Sequence, residues 1–212
     1  KVKERAKKGS DVLLGPLDTE IAQTPYDIVY EEDRIKLKHY KPTTKHQLRT
    51  PLLIVYALIN RETVLDLQPN RSVIRNFLKE GVSVYMIDWG YPTRIDKHIT
   101  IDDHVNGYID NIVEFILEKD RLSTVNLMGV CMGGDFCVIY SALHPHKIRN
   151  LITTVTPSHF DIDTGLLHIW MKKVDVDRMI NTFGNMPGDL MNAIFLLLNP
   201  ARLMIDKYVG FI

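Results

Sequence analysis

Cysteine is scarce in this chain: there are two in 212 residues, Cys131 and Cys137. They sit too close together for a disulfide framework, and no Cys/His cluster has the spacing of a zinc site. A reducing, cytoplasmic setting with no metal and no cofactor is expected. Surplus charge is also missing: 26 basic residues balance 26 acidic ones, so no global field draws nucleic acid or an anionic membrane. Long apolar runs are absent too. The longest, Ala193 to Leu198, suits a core helix and falls far short of a bilayer span, and no secretory signal is expected. The basic opening KVKERAKK reads as a solvated terminus. What the chain does have is a 45% share of hydrophobic residues, enough for one domain with a sizeable core.

The most informative stretch is Leu127-Met128-Gly129-Val130-Cys131-Met132-Gly133-Gly134. A β-type apolar run, Val125 to Val130, meets a Gly-x-Cys-x-Gly-Gly turn, and an amphipathic helical pattern follows at once. Strand, sharp turn and helix in that order resemble the nucleophile elbow of α/β-hydrolases, with cysteine replacing serine. The small neighbours Gly129 and Gly133 leave room for the strained turn. A cysteine at a helix N-terminus meets unpaired N–H groups and the positive end of the helix dipole, which favour the thiolate, the reactive form. The N–H of Met132 is then one half of an oxyanion hole. Against this stands the plain alternative that a buried cysteine fills core; the strand before it and the helix after it favour the catalytic reading.

Taken in order, residues 1–25 read as a loosely structured lead-in. Alternating Ile28 and Tyr30, then Ile35, Leu37 and His39, predict an antiparallel hairpin across Glu31-Glu32-Asp33. Leu52 to Ala57 predicts a strand buried on both faces. The loop after it is where the second oxyanion donor belongs, and the backbone around Tyr56-Ala57-Leu58, with Ala57 at its centre, is the candidate. A helix over 71–80 should end at Gly81 as its left-handed cap. Val82 to Ile87 is the next strand, ending in Asp88-Trp89-Gly90-Tyr91-Pro92 near the chemistry. Asp88 reads more readily as a carboxylate bonding its own loop than as a functional one. Thr100 and Asp103 form a capping box for a helix whose buried stripe is Val105, Tyr108, Ile109, Ile112, Val113 and Ile116.

After the elbow, Met132, Phe136, Ile139, Tyr140 and Leu143 are the expected buried stripe of its helix, Pro145 stops it, and Cys137 is a small core hydrophobe. Leu151 to Val155 supplies one more strand. The count predicts an α/β fold: the front half of an α/β-hydrolase, with a mostly parallel sheet over 26–157. Residues 158–212 lose the alternation and, crowded with Leu, Met and Phe, predict the start of a helical lid. Their apolar stripe reads as core packing ahead of substrate contact.

A thiolate nucleophile is normally served by a histidine base and an orienting acid, which in this fold follow it on later strands. His144, His146, His159 and His168 all fall at the end of the elbow helix or in the lid segment. The general base and acid are therefore not expected within this chain, which reads as a fragment, nearly inert alone.

Several separated segments together carry a closer resemblance. Gly129 to Gly134, Leu53 to Arg61, Tyr85 to Gly90, Tyr140-Ser141-Ala142-Leu143-His144-Pro145 and Gly184-Asn185-Met186-Pro187-Gly188 resemble polyhydroxyalkanoate synthases, most of all the class III catalytic subunit. The resemblance implies an acyltransferase that polymerises (R)-3-hydroxyacyl-coenzyme A into polyester through a thioester on Cys131, the acyl-coenzyme A being substrate and not cofactor. It also implies a second, helical synthase subunit, homo- or hetero-oligomers, and a cytoplasmic location at the polyester granule surface. Two other readings stay open: a cysteine-dependent hydrolase of esters or thioesters on the same fold, and a non-catalytic granule-surface fragment that merely keeps the elbow.

Overall fold

The computed structural model describes residues 21–160, 166–199 and 202. Its contacts define two compact units, one being Glu20–Phe160 and the other containing the described residues that follow. Most of the lead-in expected at 1–25, and positions 161–165, 200–201 and 203–212 of the lid segment, lie outside the described residues.

The first unit is a six-stranded sheet in the order β1-β2-β6-β3-β7-β8. Its strands are β1 (Asp27–Glu32), β2 (Ile35–Tyr40), β3 (Leu52–Val55), β6 (Val84–Asp88), β7 (Val125–Val130) and β8 (Ile148–Thr154). The expected hairpin is β1–β2, turning through Asp33 at φ 52°. β2 runs antiparallel to β6, while β3 pairs in parallel with both β6 and β7, and β7 with β8. The sheet is therefore mostly parallel, as the strand–helix alternation requires.

Because side chains alternate along a strand, the two faces can be read from residue parity. Leu53, Val55, Tyr85, Ile87 and Leu127 share one buried cluster with Ile112, Val113, Ile116, Phe136 and Tyr140 from the helices on that side. Leu52, Ile54, Val84, Met86, Met128 and Val130 share the other, with Ile74 and Leu78. Both faces are covered, which is why β3 and β6 carry no exposed residue.

Between β3 and β6 a small antiparallel ladder, β4 (Asp66–Gln68) with β5 (Arg71–Ser72), takes the residues expected to open the first helix. That helix, α1, is Val73–Lys79, and the Ser72 hydroxyl accepts from the Arg75 N–H at 2.9 Å as its N-cap. Gly81 takes φ +82°, as its position predicts, and a Cβ there would stand 2.2 Å from the His46 carbonyl oxygen. The Thr100–Asp103 capping box forms. The element that follows differs from a simple α-helix, beginning with a π-helical stretch, Asp103–Ile109, before α2 (Asp110–Asp120). All six predicted stripe residues are buried.

The elbow helix, α3 (Met132–Leu143), corrects one expectation. Ile139 and Leu143, placed in the buried stripe, are 40% and 55% exposed, and the buried face is Gly133, Gly134, Phe136, Cys137 and Tyr140. The glycines explain the rotation: with no side chains to hold the helix away, its backbone packs directly on the sheet, and the face centred on them turns inward. Cys137 is fully buried, as expected of a core hydrophobe.

The second unit contributes α4 (Leu166–Met171), α5 (Val176–Phe183) and α6 (Gly188–Leu198). Asp175 caps α5 by accepting from Arg178 N–H at 2.9 Å, and Gly184 closes it at φ +80°. The core-packing expectation is not met here. No residue of α5 or α6 is buried, and Phe183 and Leu197 are 48% and 60% exposed. Among the described residues no helix is long and apolar enough to cross a membrane.

Candidate active site

Cys131 stands at the junction of β7 and α3 with φ +53° and ψ −128°. Few residues with a Cβ adopt this backbone, and holding it costs energy that the surroundings must supply. They do so through hydrogen bonds on both sides: the Cys131 N–H donates to the Thr154 carbonyl at 2.9 Å, and its carbonyl accepts from Gly134 N–H at 2.8 Å. The thiol is on an exposed residue, in contrast to Cys137.

The turn also needs its glycines. A Cβ on Gly129 would stand 2.3 Å from the Gly134 Cα, one on Gly133 would stand 2.2 Å from the Val55 carbonyl oxygen, and one on Gly134 would overlap the Thr156 side chain at 1.9 Å. The first turn of α3 is therefore pressed onto the end of β3, where Tyr56 and Ala57 follow. Met132 begins α3, so its N–H is among the helix-opening amides that have no partner within the helix. Tyr56 and Ala57 are 8% and 5% exposed. Burial and, next, the charge of Cys131 push the Tyr56 phenol upward. The structure thus brings together the elbow, the start of its helix and the backbone at Tyr56–Ala57. Nothing in the sequence pattern singled out the Tyr56 phenol.

Asp88 ends β6 and is bound on several sides. It accepts from the Gly90 N–H at 3.0 Å, within its own loop, as its position suggested. It also meets Lys38 Nζ at 2.9 Å and Arg61 Nη2 at 3.1 Å. Lys38 in turn pairs with Glu62 at 2.6 Å, with side chains only 8% and 4% exposed. Burial raises the Asp88 pKa, but hydrogen bonds from Lys38 and Gly90 and two nearby positive charges outweigh it, and the net shift is downward. Burial likewise lowers Lys38, yet its two carboxylate partners leave it raised. This is a closed set of charges tying β2, the β3 loop and β6 together, and it leaves Asp88 engaged in structure.

His144 stacks on Tyr140 with ring centres 4.6 Å apart and bonds Asn106 at 3.0 Å, and His159 is exposed. Among the described residues no group of three or more His, Cys, Asp or Glu is placed to hold a metal ion. His104, which the sequence reading passed over, is 6% exposed. It bonds the Thr100 carbonyl through Nδ1 at 2.7 Å and packs against Trp89 and Phe136 with ring centres at 5.3 and 5.5 Å. Burial pulls its pKa down, against the opposing hydrogen bond to Thr100.

Comparison with known proteins agrees with this architecture. The α/β hydrolase fold family matches residues 50–181, and the family described as the poly-beta-hydroxybutyrate polymerase (PhaC) N-terminus matches residues 10–77. Among curated relatives, the poly(3-hydroxyalkanoate) polymerase subunit PhaC of Thiocystis violacea is 43% identical over 206 residues, and that of Allochromatium vinosum 44% over 207. Each alignment takes in 97% of this chain, and the chain spans 58% of the length of each relative. Among solved structures, the Francisella virulence factor BioJ superposes with TM-score 0.52 at 16% identity, covering 78% of this chain and 54% of that one. A monoglyceride lipase from Saccharomyces cerevisiae superposes with TM-score 0.51 at 18% identity, covering 66% and 47%. At such identities these structures speak for the fold alone. With a family match over more than half its length, and an elbow and sheet of the corresponding form, the chain belongs to the α/β-hydrolase fold family, among the relatives of the PhaC polymerase subunits.

Proposed function

We propose that this chain carries the nucleophile of a poly(3-hydroxyalkanoate) polymerase, an acyltransferase that takes (R)-3-hydroxyacyl-coenzyme A and releases coenzyme A. The observation that carries the reading is Cys131, exposed on a strained elbow with helix amides beginning at the next residue.

The chemistry follows from sulfur. The Cys131 thiolate attacks the thioester carbonyl, a C–S bond forms, and the oxyanion is held by the N–H groups of Met132 and Ala57. Collapse breaks the bond to coenzyme A, whose thiolate takes up a proton, and leaves the acyl group on Cys131. Exchanging one thioester for another changes the energy little, so the acyl-enzyme keeps the driving force to acylate a hydroxyl. A 3-hydroxyl from another unit then attacks, losing its proton as an ester forms and the Cys131 thiolate is released. A serine ester would have given up that driving force at the first step.

The base for these proton transfers is assigned to the whole polymerase, of whose relatives the chain spans 58%. The exposed apolar side chains of α4–α6 suit a lid that keeps water from the acyl-enzyme and presents an oily surface to the polyester. A second, helical subunit of the class III kind and attachment at the granule surface complete the proposal.

The test is incubation of the full-length protein with (R)-3-hydroxybutyryl-coenzyme A. Insoluble polyester with stoichiometric release of coenzyme A, lost in Cys131→Ala, supports the reading. Soluble hydroxy acid in place of polymer overturns it in favour of a hydrolase. Activity surviving in Cys131→Ala overturns the assignment of the nucleophile.

A further inference from the structure

We infer that Trp89 is a positioning residue for the oxyanion hole: its indole N–H aims the Ala57 amide by holding the carbonyl at the other end of the same peptide. The inference rests on the function proposed above. Trp89 Nε1–H donates to the Tyr56 carbonyl at 2.8 Å, in a buried bond spanning 33 residues of sequence. The Tyr56–Ala57 peptide is planar and trans, so the Tyr56 oxygen and the Ala57 N–H point in opposite directions. Fixing one fixes the other. β3 ends at Val55, so this peptide lies just past the regular strand and its direction must be set by something other than the ladder.

The indole is itself held. It is 6% exposed and stands edge-on to Phe136 of the elbow helix at 6.3 Å and 82°, and to His104 at 5.3 Å and 65°. Its two chain neighbours are also fixed. Asp88 is held by Lys38 and Arg61. Gly90 takes φ +66°, and a Cβ there would stand 2.5 Å from the Arg34 carbonyl oxygen. Arg61, from the loop that follows Ala57, donates to the Gly90 carbonyl at 3.4 Å and lies over the Tyr91 ring at 4.3 Å. Trp89 is thus one rigid body in contact with the nucleophile's helix at its ring edge and with the oxyanion strand at its N–H. That arrangement transmits the position of one to the other.

A Trp needed only for packing would tolerate loss of its N–H, whereas one that aims a peptide would not. The discriminating replacement is 3-benzothienylalanine at position 89, which keeps the bicyclic shape and substitutes sulfur for N–H; Trp89→Phe serves as a second variant. Full-length protein is given (R)-3-hydroxybutyryl-coenzyme A in single-turnover acylation of Cys131, and in parallel is alkylated with iodoacetamide, a reaction that makes no carbonyl oxyanion. Deleting an oxyanion donor outright slows acyl transfer about 10²–10³-fold, so a misdirected one should slow acylation by about 10–100-fold. KM and the alkylation rate should stay within twofold of wild type. Acylation at the wild-type rate in the 3-benzothienylalanine variant, whatever Trp89→Phe does, overturns the inference while leaving the proposed function standing. So does an equal fall in alkylation, which would mark Trp89 as merely structural. Failure of the wild-type protein to acylate at all would remove the proposed function and this inference together.

Discussion

Replacing Cys131 by glycine should make the protein more stable while abolishing its chemistry. At φ +53° and ψ −128°, Cys131 holds a conformation natural to glycine and strained for any residue with a Cβ. Such strain costs on the order of 1–3 kcal/mol. Glycine would relieve it but would give back about 0.5–1 kcal/mol through the greater freedom of the unfolded chain. The thiol is exposed, so little buried area is lost. The net expectation is a gain of about 0.5–2 kcal/mol for Cys131→Gly. Cys131→Ala keeps the Cβ and the strain, and should lie within about 0.5 kcal/mol of wild type. In urea, with a slope of about 2 kcal/mol/M, the glycine variant should unfold at a midpoint higher by roughly 0.3–1 M than the alanine variant. The pair isolates backbone strain from loss of sulfur. A glycine midpoint at or below that of Cys131→Ala would mean that the elbow stores no strain, and the argument from its geometry would fail.

Glycines of the same chain should divide by what surrounds them. Gly133→Ala drives a Cβ to 2.2 Å from the Val55 carbonyl oxygen and should cost about 1–3 kcal/mol in urea unfolding, whereas Gly107→Ala, with nothing within 4 Å, should stabilise by about 0.4–1 kcal/mol. Cys131 should be alkylated in the native protein, while Cys137, fully buried and with its thiol pushed far up by burial, should react only after denaturation; peptide mass mapping reads both. His39, stacked on Tyr85 at 4.2 Å, has its pKa lowered to about 4 by burial, with the Lys119 charge adding to it. Because the folded state favours the neutral ring, its contribution is whole above the unfolded pKa of about 6.5 and drains away as pH falls from there toward about 4. Discounted for its partial exposure, the loss should be about 1–2 kcal/mol. His39→Phe should flatten that part of the stability profile, and an unchanged slope would assign the pH dependence elsewhere.

The elbow was legible because its physics is local: a strand, a turn that admits only small residues, and a helix follow one another within a dozen positions. The parallel strands were legible as unbroken apolar runs, and Asp88 as a loop carboxylate by its place before Gly90. What escaped depends on partners distant in sequence. The buried Lys38–Glu62–Asp88 set joins three separate segments, and nothing in the alternation of β2 marks Lys38 as an inward charge. The face of α3 was misjudged by following the large apolar residues, when Gly133 and Gly134 decide how near the helix comes. His104 looked like any helical histidine; only the packing of Trp89 and Phe136 around it makes it buried. The open apolar sides of α5 and α6 could not be told from a core stripe, since both use the same residues.

The most direct test of the account is to trap the covalent intermediate. Full-length protein quenched in acid after brief exposure to (R)-3-hydroxybutyryl-coenzyme A should yield one peptide bearing a hydroxybutyryl mass on Cys131, released by hydroxylamine and absent from Cys131→Ala. An acyl group on any other residue, or polymer formed while Cys131 stays unmodified and replaceable, would contradict it.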